Sequence, residues 1–140
     1  FEVVVGSLHT GLNLGKAEQT QRLFRALDNP YLSILGHPSG RLILRRKGAE
    51  ADWEAVLERA AQNQRVVEVN CSPYGLDLDW RLMLAWRDRL HFSLGPDAHS
   101  VEGISEIQYG LLFAHKAGLS PDRVVNTWPA ERLIALKKRD

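Results

Sequence analysis

The sequence predicts an α/β fold with a parallel sheet, made of about four βα units. Three observations carry that reading. Short, β-branched apolar runs alternate along the chain with longer segments whose apolar residues recur every three or four positions. Glycine and proline clusters punctuate the joins, as in Gly36-His37-Pro38-Ser39-Gly40. Polar groups capable of chemistry (His9, His37, Glu68, Asn70, Asp97, His99) arrive repeatedly at or near the ends of the short runs. Parallel α/β folds keep their chemistry at those ends.

Each element has its own warrant. Glu2 to His9 reads as a first strand, nearly continuous in apolar residues and so expected to be buried on both faces. Lys16 to Leu27 reads as a helix, with Ala17, Leu23, Phe24 and Leu27 inward and Glu18, Gln21, Arg22 and Arg25 outward. Asn29-Pro30 ends it. Tyr31 to His37 is a second short strand, closed by the glycine-proline turn around His37. Asp52 to Gln62 is a helix with Asp52 at its start and Trp53, Val56, Leu57, Ala60 and Ala61 on its apolar face. Arg65 to Cys71 is a third strand, and Ser72 to Leu78 a loop. Asp79 to Leu90 is a helix with a core stripe of Leu82, Met83, Trp86 and Leu90. His91 to Leu94 is a fourth strand leading to Pro96-Asp97-Ala98-His99-Ser100. Val101 to Ala117 is mostly helix, marked by Ile104, Ile107, Leu111 and Leu112. Ser120-Pro121 starts a further helix, and Trp128-Pro129 the last one, which runs out in Lys137-Lys138-Arg139-Asp140. The alternation predicts a right-handed parallel arrangement.

Composition narrows the function. The chain has 140 residues, 44% of them apolar, and a formal charge of +1, so bulk charge does not argue for nucleic acid. A single cysteine, Cys71, excludes an intrachain disulfide and suits a reducing compartment. No run approaches the roughly 20 apolar residues of a membrane span. The chain opens on Phe1-Glu2-Val3-Val4-Val5, inside a strand-like run and without a basic leader. The expectation is that more sequence, holding the front half of the fold, lies upstream.

Imidazole and carboxylate groups gathered at one face of a parallel sheet suit Zn²⁺, Mn²⁺ or Fe²⁺. Asp97 and His99 are two apart, so in an extended chain they point the same way. His9 and His37 end other strands; each also has the plainer reading of a hydrogen-bonded histidine. Glu68 inside a strand needs a partner, which an arginine, solvent or a metal could be. His91 and His115 read as structural. The run Arg41-Leu42-Ile43-Leu44-Arg45-Arg46-Lys47 could hold a phosphate backbone or be a solvated loop edge. Tyr74 could stack on a base or pack in its loop. With no cysteine nucleophile placed and no Walker-type loop, metal-activated water attacking a phosphoester is the simplest chemistry.

At these residues the sequence resembles a known family. Ser7-Leu8-His9, Ile34-Leu35-Gly36-His37-Pro38, Val67-Glu68-Val69-Asn70 and Asp97-Ala98-His99-Ser100 are similar to motifs of PHP (polymerase and histidinol phosphatase) domains. The resemblance is closer still to the PHP domain at the C-terminus of bacterial family X DNA polymerases. It runs through residues 13–20, 36–42, 70–81 and 97–103. It implies that residues 1–140 form the C-terminal portion of a distorted (βα)7 barrel with a site for two or three Mn²⁺ or Zn²⁺ ions. His9, His37, Asp97 and His99 would be ligands and catalytic residues, with Glu68 a further candidate ligand. Arg41, Arg45, Arg46, Lys47 and Tyr74 would contact DNA. The implied activity is a metal-dependent 3′–5′ exonuclease that processes DNA 3′ ends in base excision repair, in the bacterial cytoplasm at the nucleoid. Its partners would be DNA and the missing half-barrel and polymerase domain of the same parent chain, with no membrane. Two departures stand out: the family's first-half ligands are absent, and Gly95-Pro96 replaces the usual Asn-Thr before the aspartate. The alternatives are a small-molecule phosphatase of the histidinol-phosphatase type and a structural PHP domain without catalysis.

Overall fold

A computed structural model describes residues 2–136. Four parallel strands form one sheet in the order β1 (Val5–Ser7), β2 (Ile34–Gly36), β3 (Val66–Asn70), β4 (Phe92–Gly95). Five helices intervene or follow: α1 (Lys16–Asp28), α2 (Trp53–Gln62), α3 (Trp80–Trp86), α4 (Ile107–Lys116) and α5 (Ala130–Ile134). Sequential strands are spatial neighbours throughout, as in part of a (βα) barrel.

Strand residues alternate between two faces. Leu35, Val67, Val69, Phe92 and Leu94 lie in the main core with Leu23 and Leu27 of α1, Val56 and Leu57 of α2, and Met83 and Trp86 of α3. Each such fully buried side chain contributes about 1.5–3 kcal/mol. The other face carries a polar row. Ser7 pairs with Gly36 and Glu68 with Ser93, and the Leu35–Val67 pairing brings Gly36 level with Glu68. Below that row, Ile34, Val66 and Val125 form a second apolar cluster with Trp128, Leu133 and Leu136.

The two outer edges of the sheet differ. Val124 bridges Phe92 in parallel. The Asn126 amide then imitates a strand: Leu94 N–H donates to Asn126 Oδ1 at 2.7 Å, and Asn126 Nδ2 donates to Leu94 O at 3.0 Å. Among the described residues β1 pairs only with β2.

Several elements depart from the sequence reading. The first strand is three residues, not eight, and Val5 is 54% exposed, because among the described residues its outer edge has no partner. His9 lies beyond it in an exposed loop. Ala17 is exposed, while Gln19 and Thr20 are buried in its stead. Residues Glu102–Glu106 form a 3₁₀ turn ahead of α4. Ile104, Leu111 and Leu112 face outward; the buried side of α4 is Gly110 and Ala114. A Cβ on Gly110 would strike the Cys71 sulfur, so α4 presents its small residues to β3. Pro121–Arg123 is a 3₁₀ turn, and Ser120 provides no side-chain cap. The expected run-out at 137–140 lies outside the described residues. Asp52 caps α2 as anticipated, accepting from Ala55 N–H at 3.2 Å.

Candidate functional site

The C-terminal ends of the strands open into a cleft of about 270 Å³. His9, His37, Asp97 and His99 all line it, joined by Asn70, Asp77, Arg41 and Arg46. The His9 and His37 rings meet edge to face, centroids 4.9 Å apart and planes at 86°. They arrive from the loops after β1 and β2, which sheet register makes neighbours.

His37 sits in a turn held by two carboxylates. Its backbone N–H donates to Glu68 Oε2 at 2.6 Å. Asp77 Oδ2 accepts from Ser39 N–H at 2.8 Å and Gly40 N–H at 2.9 Å, and Oδ1 lies 2.9 Å from the Ser39 hydroxyl. The clamp holds His37 at φ +24°, a conformation costly for a residue with a side chain. Burial pushes the Asp77 carboxyl above its ordinary value, against the hydrogen bonds of Ser39 and Gly40 and the charge of Arg41. Burial likewise raises Glu68, which the His37 N–H and ring oppose. Glu68 does not line the cleft. Its carboxylate fits between Gly36 and Gly95, where a Cβ on Gly95 would strike Oε1. Its partner is a backbone amide, an option absent from the sequence reading.

Asp97 and His99 lie past the end of β4, so they are not extended as their spacing suggested; Asp97 has φ +53°. They reach the cleft from a bend. His99 Nδ1 is 2.7 Å from the Asp97 carbonyl oxygen. A carbonyl can only accept, so Nδ1 carries a proton, and in the neutral ring the lone pair is then on Nε2.

The donors fit a divalent metal by kind. Nδ1 of His37 is buried without a hydrogen-bond partner among the described residues, and His99 has the backbone-held tautomer that ligating histidines adopt. By number they fall short: among the described residues no three His, Cys, Asp or Glu side chains gather closely enough to hold an ion. Cys71 is buried, its thiol pushed up to about 11, which makes it a poor nucleophile.

The basic run divides. Arg41 turns inward, donating to Gly75 O at 2.9 Å and to Leu76 O, and pairing with Asp79 at 3.1 Å. Arg46 donates to Gly40 O at 3.0 and 2.8 Å. Arg45, Lys47 and Tyr74 lie outside the cleft lining and are exposed, with the Arg45 guanidinium 5.7 Å from the Tyr74 ring centre.

No family model matches the chain. It is 31% identical over 141 residues to the DNA polymerase/3′-5′ exonuclease PolX of Bacillus subtilis, covering all of this chain and 25% of PolX, in its C-terminal part. It is 27% identical over 136 residues to a probable phosphatase of Syntrophotalea carbinolica, covering 90% of this chain and 54% of that protein. A probable phosphatase YcdX of Shigella dysenteriae is 28% identical over 131 residues, 89% of this chain and 51% of that one. These similarities are consistent with a PHP domain. The chain spans a quarter of the polymerase and about half of each phosphatase. The similarity supports a phosphoesterase domain. Among the described residues no helix is long and apolar enough to cross a membrane.

Asp77 is the cleft residue that sequence reasoning passed over. The one available signal was a carboxylate in Leu76-Asp77-Leu78-Asp79, directly after the third strand's loop.

Proposed function

We propose that this chain is the C-terminal portion of a metal-dependent phosphoesterase domain that removes nucleotides from DNA 3′ ends, as part of a family X polymerase acting in repair. The observation that carries the proposal is the meeting of His9, His37, Asp97 and His99 in one cleft at the strand ends. These four would hold Mn²⁺ or Zn²⁺, with the remaining ligands supplied by sequence upstream. Such ions, when bound, lower the pKa of water and stabilise charge on a phosphoryl group. The chain's own residues prepare the place. The Asp97 carbonyl fixes the His99 ring with Nε2 available. Glu68 and Asp77 hold the turn that aims His37. Arg41 and Arg46 add positive potential at the cleft wall, which draws a phosphodiester in.

The test uses the protein extended upstream as its relatives are. Metal content and Mn²⁺-dependent digestion of a 3′-labelled single strand are measured with and without His99→Ala. Bound metal with digestion that the substitution abolishes supports the nuclease. Metal without DNA digestion favours small phosphate esters, the reading to which the probable phosphatases among its relatives point. Neither metal nor digestion leaves a structural domain.

A further inference from the structure

The loop between β2 and α2 leaves the cleft as a small hairpin. Leu42 N–H donates to Arg46 O at 2.9 Å and Arg46 N–H to Leu42 O at 2.8 Å. Its base is fastened by the Arg41 and Arg46 bonds described above, and Ile43 N–H donates to Tyr74 O at 2.6 Å. At the tip Leu44 is 102% exposed and has φ +62°. The site is unfavourable twice over: leucine gains nothing from burial there, and glycine would take that backbone without strain. Strain of this kind points toward function. Exposed Ile43 and Arg45 flank the tip, followed by Arg46 and Lys47, and no acidic residue occurs between Arg41 and Gly48. Arg41, Leu42 and Arg46 line the cleft as well as the hollow of the loop, so the two share a wall.

We propose that this hairpin is a fixed wedge that parts the last base pair of a DNA duplex and passes the 3′ strand into the cleft. The proposal rests on the DNA reading above. Apolar side chains that enter a base step unstack it. Neighbouring cations hold the phosphates on either side, and the Tyr74–Arg45 pair offers a surface for the freed base. Because Arg41 and Arg46 already fasten the loop, binding requires little further ordering. An apolar tip set among cations alone suits a polyanion better than an apolar protein groove.

The test is binding by the intact protein, in chelator to prevent hydrolysis, to a duplex with 2-aminopurine at its 3′-terminal pair and to the same strand unpaired. The unaltered protein should raise the fluorescence of the terminal pair. Leu44→Gly should weaken that opening at least about tenfold, the order expected when unpairing loses its driving contact. Single-strand binding should be unchanged and the melting temperature no lower, since glycine relieves the strain at that position, and Leu44→Met should retain the opening. If Leu44→Gly opens the pair as well as the unaltered protein does, or weakens single-strand binding equally, the wedge is overturned. A lowered melting temperature would make the tip structural and overturn it too. If the unaltered protein binds neither DNA, the DNA reading itself fails and the wedge falls with it; binding without opening sinks the wedge alone.

Discussion

Asp77 determines whether the turn carrying His37 keeps its shape. Asp77→Ala strands the Ser39 and Gly40 amides without acceptors in a buried place, at a cost of about 2–4 kcal/mol. Asp77→Asn can keep all three bonds, its oxygen accepting from both amides and its nitrogen donating to the Ser39 hydroxyl. The pH dependence follows from burial. The carboxyl's folded value is raised above 3.8, so the folded chain holds a proton that the unfolded chain has released. The stability from this group is full below pH 3.8 and is lost as pH rises through the raised value. Asp77→Asn does not titrate, so it should gain on the unaltered chain across that window and keep the gain above it. Urea unfolding of the three chains at about pH 4 and pH 7 measures both effects. A second prediction concerns His37. On the metal-dependent reading proposed above, His37→Ala would remove a ligand while leaving the turn's amide bonds to Glu68 and Asp77 in place. Metal content should therefore fall with melting temperature nearly constant, read by elemental analysis beside a thermal scan. The shared position of His9, His37, Asp97 and His99 at the strand-end cleft was legible because each follows closely on an apolar run. Asp77 was not, because its partner Ser39 lies 38 residues earlier and no periodicity links a loop carboxylate to a distant turn.

At the scale of elements, closeness of approach outweighs hydrophobicity. The third strand and α2 were readable from alternation and from the Asp52 cap. The face of α4 was not, because the sequence marks Leu111 and Leu112 while the sheet admits only Gly110 and Ala114. The Cys71 sulfur fills the space that a larger residue would need. Gly110→Ala should therefore destabilise by about 1–3 kcal/mol through overpacking. Cys71→Ala should recover part of that loss in the double variant, and a double-mutant cycle on denaturant midpoints gives the coupling. The polar row of Ser7, Gly36, Glu68 and Ser93 was likewise hidden. It exists only through register, and neighbouring members of the row lie 25 to 32 residues apart in the chain, where no local pattern links them.

For the whole molecule, His9, His37, Asp97 and His99 share a cleft, yet among the described residues no three His, Cys, Asp or Glu side chains come close enough together to hold an ion. Residues 1–140 alone should bind Mn²⁺ or Zn²⁺ roughly tenfold or more weaker than a chain extended upstream, because a site short of ligands gives up coordination energy. Equilibrium dialysis of the two chains compares them, and equal affinities would place the site wholly within this chain. The fold class was legible because βα alternation is a property of the whole sequence. The short first strand was not, since an edge reveals itself only by what fails to pair with it. The two edges also treat association differently. On one side the Asn126 amide occupies the donor and acceptor of Leu94 that an incoming strand would use. On the other, β1 pairs only with β2 among the described residues. Among the described residues the ladder can therefore be extended on one side only. In the longer chain proposed above, that is the side on which the remaining barrel strands would continue the ladder, so completing the domain and covering its exposed edge would be one event.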